Sequence, residues 1–148
     1  MGNRAVITTN EKRENKLGIY VHWNGGRDSV AAFLKYAEMR GFRCPEDDNY
    51  GWARLAQVIA NFMGKEGLSV GIDVVDRLDC NNWDNGVYLI EKWQIVGREY
   101  APEYEQTEYD LAEMLVEIDK CQPADQQLGR DAIMEKLKLE SPLKTVDK

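Results

Sequence analysis

The residues Trp23-Asn24-Gly25-Gly26-Arg27-Asp28-Ser29 constrain this chain more than any others, because the hydrophobic period changes across them. Before them Leu17 to Trp23 alternates, with Leu17, Ile19, Val21 and Trp23 on one face and Gly18, Tyr20 and His22 on the other, the pattern of a half-buried strand. After them Val30, Phe33, Leu34 and Ala37 recur at helical spacing, so a helix is expected to start near Asp28. Two adjacent glycines permit positive φ and leave no side chain over the main-chain N–H groups. A helix start carries unpaired donors and a partial positive charge, so this geometry suits an anion or phosphate, with Asp28 and Ser29 as capping residues.

Asn24 to Ser29 resembles the SGGxDS loop of the N-type ATP pyrophosphatases: Gly25, Gly26, Asp28 and Ser29 match, and Asn24 stands where that family has its first Ser. The resemblance implies an ATP pyrophosphate held by the loop and adenylation of a substrate carboxylate, carbonyl or thiol. The alternative is a well-capped strand-to-helix turn and nothing more. The family's fold needs a parallel sheet with a strand soon after the first helix, and Phe42-Arg43-Cys44 before Pro45 is too short to supply one. With its start Met-Gly-Asn-Arg-Ala-Val-Ile and its run Ile19 to Arg27, the chain also resembles small proteins carried by phages and prophages. That likeness implies a setting: several small acidic phage proteins counter host defence by sequestering a nucleotide signal or by blocking a defence protein.

Elsewhere the pattern alternates between the two periods. Arg4 to Thr9 reads as a first strand, antiparallel to Leu17–Trp23 across the charged turn Asn10 to Lys16. Gly41 is the expected stop of the first helix. Glu46-Asp47-Asp48-Asn49 opens a second, with Leu55, Val58, Ile59 and Phe62 as its apolar stripe before Gly64. Leu68 to Val75 reads as a strand with a bulge at Gly71, and Val87 to Ile90 with Trp93 to Arg98 as a hairpin about Glu91-Lys92. Thr107-Glu108-Tyr109-Asp110 is similar to a capping box with Asp in place of Glu, followed by Leu111, Met114, Leu115 and Ile118; a last helix runs over Asp131 to Leu139 with Ile133 and Leu137 inward. The expected fold is α+β: a mainly antiparallel sheet covered by helices, with residues 1–100 as its core and residues 101–148 as an acidic, helical C-terminal segment of the same domain.

Composition narrows the function classes. The net charge of -7 is unevenly spread: residues 101–148 hold 6 Lys/Arg against 12 Asp/Glu, and residues 1–100 hold 13 against 14. Such an acidic end repels a phosphate backbone, which disfavours nucleic-acid partners. The lack of a membrane-length apolar run or signal-peptide pattern makes the (host-cell) cytoplasm the expected location. Cys44, Cys80 and Cys121 make neither a zinc pattern nor a disulfide framework, so no catalytic cysteine is expected. Asp79, Asn81, Asn82, Asp84 and Asn85 miss the EF-hand spacing and read as turn formers, so no metal site is expected there.

The function expected from these readings is non-catalytic binding of a small phosphate-bearing, nucleotide-like ligand. Its candidate residues are Asn24, Gly25, Gly26, Arg27, Asp28 and Ser29, with His22 nearby and with Tyr50, Trp52 and Arg54 completing the pocket if the second helix returns over the loop. No cofactor is expected beyond Mg²⁺ accompanying a nucleotide. Two alternatives remain open: an acidic module that blocks a host protein through its C-terminal face, and a nucleotide hydrolase or adenylating enzyme with His22 as base. The stripe in Thr107 to Ile118 either packs on its own domain or pairs with another subunit as a homo-oligomer.

Overall fold

The computed structural model describes residues 2–64, 69–105 and 107–140. The expected order of elements holds: β1 (Ala5–Thr9), β2 (Leu17–Val21), α1 (Arg27–Met39), α2 (Asn49–Met63), β3 (Val70–Val74), β4 (Val87–Glu91), β5 (Gln94–Glu99), α3 (Leu111–Lys120) and α4 (Arg130–Glu140). Among the described residues the strands form one five-stranded sheet in the order β3-β2-β1-β4-β5. All neighbours are antiparallel except β1 and β4, so the fold is α+β with a mostly antiparallel sheet. No helix among the described residues is long and apolar enough to cross a membrane.

Alternation decides which side of each strand meets the helices. Ala5, Ile7, Ile19, Val21, Tyr88 and Ile90 join one core with Val30, Phe33, Leu34 and Ala37 of α1 and Leu55, Val58 and Ile59 of α2. Each large side chain there contributes about 1.5–3 kcal/mol by leaving water. Leu17 and Trp23, at the ends of the expected inward face, stay about one-third exposed, outside that core. On the other side of the sheet, Val75 and Leu78 lie over Gly18, where an added Cβ would meet Val75 Cγ2 at 2.9 Å.

Helix ends follow local chemistry with two changes, the first at α1, whose N-cap is Gly26 with no side-chain cap bond, so that the expected caps Asp28 and Ser29 lie inside its first turn. Gly41 takes φ +77, and the N–H groups of Gly41 and Phe42 return to Glu38 and Ala37, which stops α1 as expected. Asp48 caps α2 by accepting from Tyr50 N–H. At α3, however, the cap is Asp110, which accepts from Glu113 N–H at 3.2 Å; the box expected at Thr107 is displaced because helical dihedrals begin only at Leu111.

The strands hold two further corrections. β3 pairs regularly with β2 through Gly71, and the irregularity lies between β4 and β5, where Leu89 faces Gly97 and Ile90 faces Ile95, leaving Val96 extra. Leu68, the expected start of β3, lies outside the described residues. The β4–β5 turn is Lys92-Trp93, at φ +51 and +64, one residue later than expected and with neither Gly nor Asn. Trp93 is buried and donates its Nε1–H to Phe42 O at 2.9 Å, while Lys92 N–H reaches Glu46 at 2.8 Å, so tertiary contacts hold the turn.

The C-terminal segment packs on this frame. Met114, Leu115, Val116 and Ile118 are buried in the common core, and Ile133 of α4 is fully buried with them. Asp119, 3% exposed, ties three elements: one oxygen accepts from Tyr36 O–H at 2.6 Å and Leu128 N–H at 2.7 Å, the other from Gly129 N–H at 2.9 Å. The stripe of α3 is thus taken up within its own chain except at Leu111, which is 41% exposed.

Candidate functional site

Strand register brings four separate segments to one end of the sheet. Ala5 at the start of β1 faces Val21 at the end of β2, Val6 faces Val87 at the start of β4, and Val87 faces Glu99 at the end of β5. The chain before β1, after β2, before β4 and after β5 therefore converges. Between these segments lies a cleft of about 540 Å³, lined among others by Asn3, Trp23, Asn24, Asp28, Trp83 and Tyr109.

The turn after β2 is shaped by close approach. Gly25 donates to Asn3 O at 2.8 Å, and a Cβ on it would sit 2.4 Å from that oxygen, so only glycine fits. Its own carbonyl accepts from the buried Tyr88 hydroxyl at 2.6 Å. Positive φ falls on Asn24, at +56, and Gly26 is the extended N-cap residue. The Gly25 backbone is thereby used by the fold rather than offered to a ligand.

Asp28 supplies the negative charge at the helix start. One carboxylate oxygen accepts from Ser29 N–H at 2.8 Å, and the other from the N–H groups of Glu108 and Tyr109 at 2.5 and 2.8 Å. Ser29 is buried beneath Asn24, whose amide lies 3.3 Å from its hydroxyl. Arg27 does not face the cleft. It lines a separate groove with Ala31, Leu34, Trp93 and Leu111, and lies 4.0 Å from Glu105. Glu105 also pairs with Arg98, whose guanidinium stacks 4.0 Å from the Tyr88 ring centre.

The opposite wall of the cleft is the loop before β4. Asn82 is 1% exposed and organises it: its side-chain oxygen accepts from the N–H groups of Asp84, Asn85 and Gly86, and its amide donates to the carbonyls of Asp79 and Gly86. Asp84 accepts from both Nε and the backbone N–H of Arg4, at 2.7 and 3.0 Å. Burial opposes its ionisation, but the hydrogen bonds and charge of Arg4 prevail and hold its pKa below the usual carboxylate value. This scaffold presents Trp83 at φ +61 with 89% of its surface exposed.

His22 lies just outside the cleft. Its Nδ1 is 2.9 Å from the Tyr20 hydroxyl and its ring meets Trp23 edge-on at 4.8 Å. Tyr50, Trp52 and Arg54 are not brought to the loop. The 13-residue α1 carries the chain about 20 Å away from it, and α2 starts at that far end, where Gly51 packs on Arg43 and Cys44. Trp52 is buried there, Arg54 bonds Gln57, and Tyr50 lies under Arg43 at 5.8 Å.

The aromatic rim escaped sequence reasoning. Trp23, Trp83, Tyr104 and Tyr109 are all exposed around the cleft, and the available signal was Trp83 within Asn-Asn-Trp-Asp-Asn, a large ring in a run of turn formers. Among the described residues no group of three or more His, Cys, Asp or Glu side chains is arranged to hold a metal ion. Burial pushes the Cys44 thiol up to about 11, with Glu46 and Asp47 adding to the effect, which makes it a poor nucleophile. Comparisons with known protein families, with characterised proteins and with solved structures find no match.

Proposed function

We propose that the protein is a non-catalytic binding module that takes a small, ring-bearing, nucleoside-like ligand in the cleft between the Asn24–Ser29 turn and the Asp79–Gly86 loop. The observation that carries this reading is Trp83, 89% exposed on a loop that a buried asparagine makes rigid. A solvent-facing indole held at positive φ has no packing role in its own chain, and ring stacking on such a side chain contributes about 1–3 kcal/mol per base. Trp23, Tyr104 and Tyr109 offer further ring faces, and the amides of Asn3, Asn24 and Asn85 offer donors and acceptors for ring edges.

The reading changes the seat of the ligand from the one expected at the helix start. Asp28 already serves the first turn of α1, and Asp84 and Glu108 join it along the cleft while Arg27 faces elsewhere. A phosphate about 6 Å from a carboxylate would be opposed by about 1–3 kcal/mol per pair. Binding therefore rests on the ring, and any phosphate points to solvent. In the phage setting that the sequence resembles, such a module sequesters a nucleotide-derived signal.

Thermal shift and calorimetry with a panel of nucleosides and nucleotides test this reading. Wild type is expected to respond to the nucleoside as well as to its phosphate, Trp83→Ala to lose at least roughly tenfold in affinity, and Arg27→Ala to respond as wild type does. An unaltered response in Trp83→Ala overturns the reading. Loss confined to Arg27→Ala returns the ligand to a phosphate seat.

A further inference from the structure

The aromatic cleft is also acidic, and the two features together select a ligand charge. Asp28, Asp84 and Glu108 line it, and among the described residues no Lys or Arg does. Arg4, which meets the cleft-lining Asp84, is committed to it at 2.7 Å and to Asp79 at 3.7 Å. Arg98 pairs with Glu105 and donates to Asn85 O, the latter at 2.7 Å, while its Nε is buried without a hydrogen-bond partner among the described residues. The two other carboxylates remain to set the potential, and that of Asp28 accepts only from uncharged backbone N–H groups. Exposed ring faces of Trp and Tyr beside carboxylates attract a cation through the ring quadrupole and the carboxylate charge at once.

Resting on the binding function just proposed, we infer that the ligand's bound head group is a cation of low hydration: an N-alkylated, positively charged heterocycle or a quaternary ammonium. A soft cation sheds water at little cost and keeps its attraction to the rings, whereas a neutral ring of the same shape gains only the stacking. The side chain that tunes the charge without holding the fold is Glu108. Its backbone N–H binds Asp28, but its carboxylate is on the exposed surface of the cleft.

Calorimetry at pH 6 with two matched pairs separates charge from shape: 7-methylguanosine against guanosine, and choline against 3,3-dimethylbutanol. Each cation is expected to bind roughly three- to tenfold more tightly than its neutral partner. Glu108→Gln is expected to shrink that ratio, and 0.5 M salt is expected to do the same. Equal affinity within both pairs, with guanosine still lost in Trp83→Ala, overturns the cation while leaving the ring-binding function intact. Absence of binding by all four compounds overturns both.

Discussion

Trp83 is the residue at which stability and binding are expected to separate. Its indole is in solvent, so Trp83→Ala removes an exposed ring and leaves the backbone conformation as it is. Unfolding should change by no more than about 0.5 kcal/mol, the ordinary range of surface substitutions, while the response to ligands is lost. A drop of several degrees in melting temperature would show that the ring packs on its own chain. Asp28 behaves in the opposite way. Asp28→Ala leaves the N–H groups of Ser29, Glu108 and Tyr109 without their acceptor and is expected to cost about 1–2 kcal/mol. The accompanying sign is faster hydrogen exchange at Glu108 and Tyr109, and unchanged exchange there would refute the tie.

At the scale of elements, the β4–β5 turn and the Asp119 junction show how tertiary contacts overrule local preference. Lys92 and Trp93 both hold positive φ, a conformation that costs about 1–2 kcal/mol for a residue with a Cβ. Lys92→Gly is therefore expected to raise the melting temperature by a few degrees, since the Lys92 side chain leaves its backbone N–H bond to Glu46 untouched. Trp93→Ala should instead lower stability by about 3–5 kcal/mol, because it empties a buried site and frees Phe42 O. At the junction, Asp119→Ala strands three donors from α1 and from the chain entering α4. About 3 kcal/mol of destabilisation follows, roughly 6–12 °C for a chain of this size. A loss under 1 °C on urea or thermal unfolding would remove Asp119 as the tie between the helices.

The whole molecule responds to alkaline pH through two buried tyrosines. Burial, and for Tyr36 its hydrogen bond to Asp119, pushes both Tyr36 and Tyr88 up to about 12. A raised folded-state pKa means that the unfolded chain loses these protons first, near pH 10. Their contribution is complete below pH 10 and is lost as pH rises toward 12, by up to about 2 kcal/mol for each phenol. Denaturant unfolding between pH 9 and 12 should therefore weaken steeply in wild type and less steeply in Tyr36→Phe or Tyr88→Phe; identical slopes would sink the assignment. At this scale too, Met114, Leu115 and Ile118 of the expected α3 stripe pack within the chain, and Leu111 alone of the four stays exposed.

The sequence by itself determined the order and type of the elements, the antiparallel β1–β2 pair, the helix that starts near Asp28 and the stop at Gly41. These depend on hydrophobic period and on turn chemistry, which act over a few neighbouring residues. Tertiary structure alone decided the parallel pairing of β1 with β4, because an approach between residues 81 apart leaves no local trace. It decided the site for the same reason: the turn at Asn24–Ser29 was visible, but its partners were not. Register placed Trp83 and Tyr109 beside that turn, and the length of α1 carried Tyr50, Trp52 and Arg54 to the other end of the sheet. Asp28 shows the division most simply, since a carboxylate in the first turn of a helix is written in the sequence, while the two distant N–H groups that share it, 80 and 81 residues away, are brought to it only once the chain has folded.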